Sequence, residues 1–242
     1  MLNTVEMYLH HNILNIYKNI DCYISPSRFL KNKIKEMGFP FPVEHVFNCV
    51  NPESYLPSYD SESQEIVFFG RLSHEKGLLT LISAVKNLNI ALNIIGDGPQ
   101  KIELEHYLQE NKIKNVKLLG HKKGDELYNL VKRALFVVVP SEWYENNPRS
   151  VIEAFALGKP VIGSNIGGIP ELIRDGETGL LYEMGDVSGL TGKISWFLEN
   201  RSAIPRMGRA GRKFVDDELN QTVHYERLIK IYENVIKNYI RV

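Results

Sequence analysis

The feature that most constrains the fold is a regular alternation of apolar strands with helices between residues 65 and 182. Six strand-like segments are nearly continuous apolar runs: EIVFFG, ALNIIG, NVKLLG, LFVVVP, KPVIGS and GLLY. Such runs are typical of strands that are buried on both faces of a sheet. Because segments with helical periodicity separate the runs, the pattern predicts βαβ units. The fold class is therefore α/β, with a parallel sheet covered by helices on both faces.

The flanking segments follow different patterns. Residues 1–20 have apolar positions at helical spacing and predict one helix, DCYI predicts a strand, and SPSRFLKNKIKEMG predicts a helix capped by Ser25 or Ser27. The Pro-rich stretch that follows is typical of a linker, with one short strand predicted over residues 45–47. It divides the chain into residues 1–60 and 61–242. After Gly185 every segment has a helical pattern.

Composition excludes several functional classes. Lys plus Arg and Asp plus Glu number 29 each, so no basic field favours a nucleic-acid partner, and none is predicted. The two cysteines predict reduced thiols rather than a disulfide framework, and no metal site is expected at the paired histidines, His10 and His11. Without a signal peptide or a long apolar span, we expect a cytoplasmic protein, or one that is peripheral on the inner face of a membrane.

Three loops that follow strands carry the chemistry, and the first is GRLSHEKG. Gly70 and Gly77 bracket Arg71 and Lys76. Glycine lets a backbone approach a ligand closely, and the two cations suit phosphate oxygens at the start of a helix. An ordinary charged surface loop is the alternative interpretation.

The second loop contains Gly96, Gly98 and Pro99. Lys101 stands where a dinucleotide-binding fingerprint would have its third glycine, so an NAD-binding Rossmann enzyme is disfavoured. The loop predicts a tight turn before a helix. The alternative interpretation is that its backbone also contacts a ligand.

The third loop, PSEWYENNP, holds the carboxylates Glu142 and Glu145 together with Asn146 and Asn147. Asn147 is predicted to cap a helix that starts at Pro148.

The helix is predicted to end at Gly158 in a left-handed conformation. Glu153 lies among the apolar residues of this helix, eight positions after Glu145, and a carboxylate in such a segment needs a partner. The alternative for Glu142, Glu145 and the two amides is a solvated loop.

Taken in order, GRLSHEKG, IIGDGP, PSEWYENNPRSVIEAFALGKPVIGSNIGGIPELI and DGETGLLY resemble the carboxyl-terminal domain of the family 4 (group 1) retaining glycosyltransferases of the GT-B fold. Glu145 and Glu153 match the Glu-x7-Glu motif of that family. The resemblance covers roughly residue 65 to the C-terminus and implies a Rossmann-like donor-binding domain over residues 61–242. The reaction that it implies moves a sugar from a nucleotide diphosphate sugar, UDP- or GDP-linked, to a saccharide or lipid-linked acceptor in surface polysaccharide or glycolipid biosynthesis.

The resemblance also implies roles for individual residues. Arg71 and Lys76 would bind the diphosphate and stabilise the leaving group, Glu153 would accept hydrogen bonds from the ribose, and Glu145 would orient the transferred sugar. The remaining donor-binding positions, assigned mainly through their backbone or through the base, are Gly70, Gly96, Gly98, His121, Asn146, Asn147 and Pro148. Neither a catalytic metal nor another cofactor is expected.

The same resemblance implies that residues 1–60 are the end of an acceptor-binding amino-terminal domain and its linker. ISPSRFLKNKI is similar to the last strand and helix of that domain, and Asn48 fits the linker, whereas Cys49 and Asn51 depart from its usual residues. The alternative function is therefore a nucleotide-sugar-binding module that is inactive alone and needs a separately encoded amino-terminal half.

Overall fold

The computed structural model describes residues 6, 8–14, 16–59 and 62–240. Near the start, strand β1 (Tyr23–Ser25), helix α1 (Arg28–Glu36) and strand β2 (Val43–His45) form a small unit in which the two strands pair in parallel. Ser27 caps α1, because its hydroxyl accepts a hydrogen bond from the Leu30 N–H at 3.0 Å. The cap and the strand at DCYI confirm the sequence prediction for this segment.

The centre of the molecule is a second sheet. Its strands are β3 (Glu65–Phe69), β4 (Ala91–Ile95), β5 (Val116–Leu118), β6 (Val137–Val139), β7 (Val161–Ser164) and β8 (Gly179–Tyr182). The spatial order is β5-β4-β3-β6-β7-β8, and every neighbouring pair is parallel. This is the doubly wound α/β order of a Rossmann-like sheet, as the alternation of strands and helices predicted.

Within residues 62–240, eight helices alternate with the strands of this sheet or come after the last of them. They are α2 (Leu78–Val85), α3 (Lys101–Glu110), α4 (Gly124–Arg133), α5 (Arg149–Ala156), α6 (Ile169–Leu172), α7 (Val187–Glu199), α8 (Ala203–Glu218) and α9 (Gln221–Ile240). Of the helices in the described ranges, none combines the length and the apolar character that crossing a bilayer demands.

Two hydrophobic cores lie on opposite faces of the sheet because successive side chains of a strand alternate in direction. Ile66 and Phe68 of β3 belong to the core formed with α2, α3 and α7. Val67 and Phe69 of the same strand belong to the core formed with α4, α5 and α8. Burial on both faces explains why the strands at the centre of the sheet have no polar alternation, whereas the edge strand β5 contains the exposed Lys117.

The linker between the two sheets is fixed to α8 and α9. Arg212 Nη1 donates to the carbonyl oxygens of Tyr55 and Ala156, at 2.7 Å each, and so ties the linker to the end of α5. The His224 ring contacts the Phe47 carbonyl oxygen through Nδ1 at 2.8 Å. The small β1–β2 unit therefore has a defined position beside the main sheet.

Three predictions of local structure were wrong. In the described part of residues 1–20, a π-helical turn over Leu9–Ile13 and a 3-10 turn over Ile16–Asn19 replace one regular helix, while residues 1–5, 7 and 15 lie outside the described residues. The short linker strand is Val43–His45 rather than residues 45–47, because pairing in register with β1 selects those residues. Helix α5 begins at Arg149, with Pro148 in the capping position.

Candidate active site

The site lies where the loops after β3 and β6 meet. These two strands are neighbours in the sheet, and the chain adds β4 and β5 on one side and β7 and β8 on the other. The direction of winding reverses here, and parallel α/β sheets bind ligands in the crevice at such a switch point, beyond the carboxyl ends of the strands. The first and third predicted loops thus come from the two strands that border the crevice.

An ion pair bridges the crevice. Lys76 Nζ donates to Glu145 Oε1, and the same carboxylate oxygen accepts from Ser141 Oγ at 2.8 Å. The side chains of Lys76 and Glu145 are 25% and 18% exposed, so both remain within reach of a ligand. The cation predicted for phosphate and the carboxylate predicted for sugar are therefore each other's partners in this structure.

Gly77 holds the first loop against the third. It ends the 3-10 turn His74–Lys76 with a φ of +64°, and a Cβ atom there would lie 2.0 Å from the Pro140 carbonyl oxygen. Residues with a side chain are disfavoured by both the left-handed backbone and the close approach. This explains why a glycine directly follows Lys76.

Glu142 takes no part in the crevice. Its Oε1 accepts from Thr80 Oγ1 at 2.5 Å, and its N–H donates to the Glu75 carbonyl oxygen at 2.8 Å. The Glu142 carboxylate thus links the third loop to α2. Glu142 is therefore a structural contact rather than a solvated loop residue.

A cavity of about 390 Å³ occupies the crevice. Six of the predicted site residues line it: Gly70, Lys76, Glu145, Asn147, Pro148 and Glu153. Ser141, which the sequence analysis did not single out, lines it as well. The cavity brings a cation, two carboxylates and a helix start together at one point of the sheet edge.

Glu153 faces this cavity from α5. Its side chain is 20% exposed, and Arg149 Nε lies 3.7 Å from its Oε1, one helical turn away. Burial raises the pKa of the Glu153 carboxyl above its ordinary value, and Arg149 offsets only part of the increase. The sequence analysis expected a partner for this carboxylate, and the structure provides a weak one at the surface.

A second cavity, also about 390 Å³, adjoins the first at Gly70. Arg71, Gly96 and His121 line it, together with Asp97 and Leu127. Arg71 is exposed and makes no hydrogen bond or ion pair with any residue that the structure describes. The two cavities adjoin at Phe69 and Gly70, and we refer to them together as the trough, which extends from the loop after β5 to the start of α5.

Gly96 and Gly98 build this trough by close packing of the second loop on the first. A Cβ atom on Gly96 would lie 1.8 Å from the Gly70 carbonyl oxygen, and one on Gly98 would lie 2.3 Å from the Leu72 carbonyl oxygen. Their φ angles are +148° and +159°. Both glycines thus have a packing role, whatever they contribute to a ligand.

The two amides of the third loop bind the amino-terminal piece. Asn146 Oδ1 accepts from Ser27 Oγ, and Asn147 Oδ1 accepts from the Asn48 N–H at 3.0 Å. Asn48 Nδ2 also donates to the Asn147 carbonyl oxygen at 3.2 Å. The prediction that Asn147 caps α5 was therefore wrong, because its side-chain oxygen is taken by the linker.

A further loop at the same edge was missed. Gly168 N–H donates to the Glu145 carbonyl oxygen at 2.7 Å, and a Cβ atom on Gly168 would lie 1.8 Å from the Asn146 carbonyl oxygen. The loop after β7 thus supports the backbone of Glu145 and Asn146. Two adjacent glycines after a strand, Gly167 and Gly168, are the sequence signal that could have found it.

Within the described ranges, no group of three His, Cys, Asp or Glu side chains is arranged to hold a metal ion. The trough offers cations such as Lys76 and Arg71 to an anionic group and carboxylates such as Glu145 and Glu153 to hydroxyl groups.

Comparison with known proteins identifies the family of this chain. Residues 57–214 match the family described as "Glycosyl transferases group 1". The chain is 31% identical over 196 residues to an uncharacterized glycosyltransferase of Methanocaldococcus jannaschii, which covers 81% of this chain and 55% of that protein. It is 33% identical over 166 residues to the glycogen synthase of Mycobacterium tuberculosis, covering 66% and 40%.

Among solved structures, Anabaena HepE in complex with UDP-glucose matches with a TM-score of 0.81 at 20% identity, covering 88% of this chain and 64% of that chain. This likeness confirms the fold. The chain spans about half the length of the curated relatives that it matches.

Proposed function

We propose that this chain, which belongs to the group 1 glycosyl transferases, forms the donor-binding part of an enzyme that transfers a sugar from a nucleotide diphosphate sugar to an acceptor. The observation that carries the proposal is the Lys76–Glu145 pair at the switch point of the sheet, beside a cavity of about 390 Å³. A related fold that was solved with UDP-glucose supports the choice of ligand class.

The roles of the residues are those that the family resemblance implies, and the chemistry of their side chains fits them. Lys76 and Arg71 offset the negative charge that develops on the diphosphate as the bond to the sugar breaks. Glu153 accepts hydrogen bonds from the ribose. Glu145, when a ligand separates it from Lys76, accepts hydrogen bonds from hydroxyls of the transferred sugar.

The acceptor hydroxyl attacks the anomeric carbon from the face that the diphosphate leaves, so the sugar keeps its anomeric configuration. The acceptor hydroxyl gives its proton to an oxygen of the departing diphosphate as the new bond to the anomeric carbon forms, and the nucleoside diphosphate leaves with the electrons of the broken bond. Because similar proteins include an amylovoran biosynthesis glycosyltransferase of Erwinia amylovora and a capsular polysaccharide biosynthesis glycosyltransferase of Staphylococcus aureus, we infer that the product is a saccharide chain, in surface polysaccharide or glycolipid biosynthesis.

We further propose that the reaction takes place in the cytoplasm and that a lipid-linked acceptor would bring the chain to the inner face of the membrane. Cell fractionation tests this, since a chain that is recovered outside the cytoplasm and its membrane face contradicts the assignment.

Thermal denaturation with nucleotides tests the donor site. A ligand present at about 100 times its dissociation constant stabilises the folded chain by about 2.7 kcal/mol, which raises the melting temperature by several degrees. We expect UDP or GDP to produce that shift and inorganic phosphate to produce a smaller one. A melting temperature that stays constant with millimolar UDP, GDP and ADP would refute the proposal.

A second candidate function is a nucleotide-sugar-binding module that transfers no sugar on its own and works with a separately encoded amino-terminal half. It follows from the resemblance of residues 1–60 to the end of an acceptor-binding domain, a segment in which the described residues form the two-stranded sheet β1–β2. Turnover of UDP-glucose by the purified chain, with and without a protein that supplies such a half, separates the two candidates.

A further inference from the structure

The side-chain amide of Asn147 has an orientation that the chemistry of its partner determines. Its Oδ1 lies 3.0 Å from the Asn48 nitrogen, which can only donate a hydrogen bond. The oxygen of the amide must therefore face Asn48, and the Nδ2 group must point the other way.

Nδ2 of Asn147 is buried and has no hydrogen-bond partner among the described residues. The residue as a whole is only 6% exposed. An amide N–H without a partner is costly in a protein interior, so native structures rarely leave one unless a ligand or water completes it. Asn147 also lines the cavity that contains Lys76, Glu145 and Glu153.

We propose that Asn147 Nδ2 donates a hydrogen bond to an oxygen of the bound nucleotide sugar and that Asn48 holds the amide in the orientation this requires. The inference rests on the proposed function and goes beyond it, since the family resemblance assigned to Asn147 a backbone role alone. The acceptor is an oxygen of the diphosphate or of the transferred sugar, because both present lone pairs to an N–H donor. Asn147 is then a binding residue, and Asn48 is a positioning residue that belongs to the linker.

The test compares the parent chain with Asn147→Ala, Asn147→Asp and Asn48→Ala by isothermal titration of UDP and of UDP-glucose. We expect Asn147→Ala to weaken UDP-glucose binding about tenfold, the equivalent of one hydrogen bond. Equal weakening of UDP and UDP-glucose places the acceptor oxygen on the diphosphate, and weakening of UDP-glucose alone places it on the sugar.

Asn147→Asp distinguishes independently between a diphosphate oxygen and a sugar oxygen as the acceptor. The carboxylate keeps an oxygen toward the Asn48 N–H, so the link to the linker remains. A sugar hydroxyl can reverse and donate to the new oxygen, which keeps UDP-glucose binding near that of the parent, whereas a diphosphate oxygen would be repelled and would bind more weakly than in Asn147→Ala.

Asn48→Ala is the control for loosening of the loop. It removes the bond from Asn48 Nδ2 to the Asn147 carbonyl oxygen but leaves Asn147 Nδ2 in place. We expect it to weaken binding by less than Asn147→Ala does. Unchanged binding in Asn147→Ala, or an equal loss in Asn48→Ala, overturns the assignment, whereas a parent chain that binds no nucleotide overturns the proposed function as well.

Discussion

Lys76 and Glu145 come from loops after neighbouring strands, and their side chains form an ion pair across the boundary between β3 and β6. Ser141 Oγ donates to the same carboxylate oxygen, so the acid has two donors. A diphosphate that binds Lys76 must compete with this carboxylate. The pair therefore lowers the affinity of the empty site for anions and leaves Glu145 available for a sugar once the ligand has displaced it.

The competition predicts opposite effects of two substitutions. Glu145→Gln keeps an oxygen that can accept from Ser141 and Lys76 but removes the negative charge, so UDP should bind severalfold more tightly. Lys76→Met keeps the aliphatic stem and removes the cation, so UDP should bind about tenfold or more weakly. Titration calorimetry of each variant with UDP measures both effects.

Lys213→Met is the matched control, because Lys213 forms an exposed ion pair with Asp217 inside α8. It should leave UDP binding at the level of the parent chain. If Glu145→Gln weakens UDP binding as Lys76→Met does, then Glu145 contacts the nucleotide directly and the competition does not exist.

The sequence predicted this pairing in part. The apolar strands define the parallel sheet, and loops at the carboxyl ends of its strands share one edge, so Lys76, Glu145 and Glu153 were expected near one ligand. The amide contacts were not predictable in the same way, since Asn147 has a strong local preference to cap a helix. Its actual partner, Asn48, lies 99 positions away, and local propensity carries no information about such a contact.

A second long-range contact caps α1. Glu171 of α6 accepts from the N–H groups of Arg28 and Phe29, at 2.8 and 2.5 Å, while Ser27 accepts from Leu30. The first three N–H groups of α1 are thus satisfied, although the first turn of α1 contains no acidic residue. Nothing in the spacing of the sequence points to Glu171, because the cap comes from a different domain segment.

Removal of this cap predicts a loss of stability. Glu171→Ala leaves two N–H groups of α1 without a partner, which should cost about 1–2 kcal/mol and lower the melting temperature by about 2–6 °C. Thermal denaturation measures the change. Glu177→Ala is the control, since Glu177 is exposed and forms a surface ion pair with Arg174, and an equal loss in this control would argue against the cap.

The raised pKa of the Glu153 carboxyl predicts that the stability of the folded chain depends on pH. Its pKa is raised by burial, so the folded chain holds the proton more tightly than the unfolded chain does. The ionised carboxylate therefore costs stability at pH values above its folded pKa, and that cost disappears as the pH falls below about 4.3, the ordinary value for glutamate.

Glu153→Gln should remove this cost. We expect the melting temperature of the variant to exceed that of the parent by about 2 °C at pH 8 and to equal it at pH 4, if both chains stay folded there. The exposed partner, Arg149, loses little when the pair is broken. A difference that is constant over this pH range would show that the carboxylate is ionised equally in the folded and unfolded chains.

The Glu153→Gln variant should also bind UDP more weakly, because an amide is a poorer acceptor for ribose hydroxyls.

The final prediction concerns the loop that supports Glu145 and Asn146. Gly168 has an ordinary φ of −88°, so a glycine is required there by close packing, chiefly against the Asn146 carbonyl oxygen and also against Ser27 Cβ, which a Cβ atom would approach to 3.1 Å. Gly168→Ala should therefore displace the backbone of the third loop, lower the free energy of unfolding by about 1–3 kcal/mol and weaken UDP-glucose binding.

Gly192 is the matched control position, because it lies within α7 and a Cβ atom on it would meet nothing within 4 Å. Gly192→Ala should raise the free energy of unfolding by about 0.5–1 kcal/mol, since alanine is the better helix former. Chemical denaturation of both variants measures the two effects, and a Gly168→Ala chain as stable as the Gly192→Ala chain would mean that the loop after β7 can move away from Asn146 without cost.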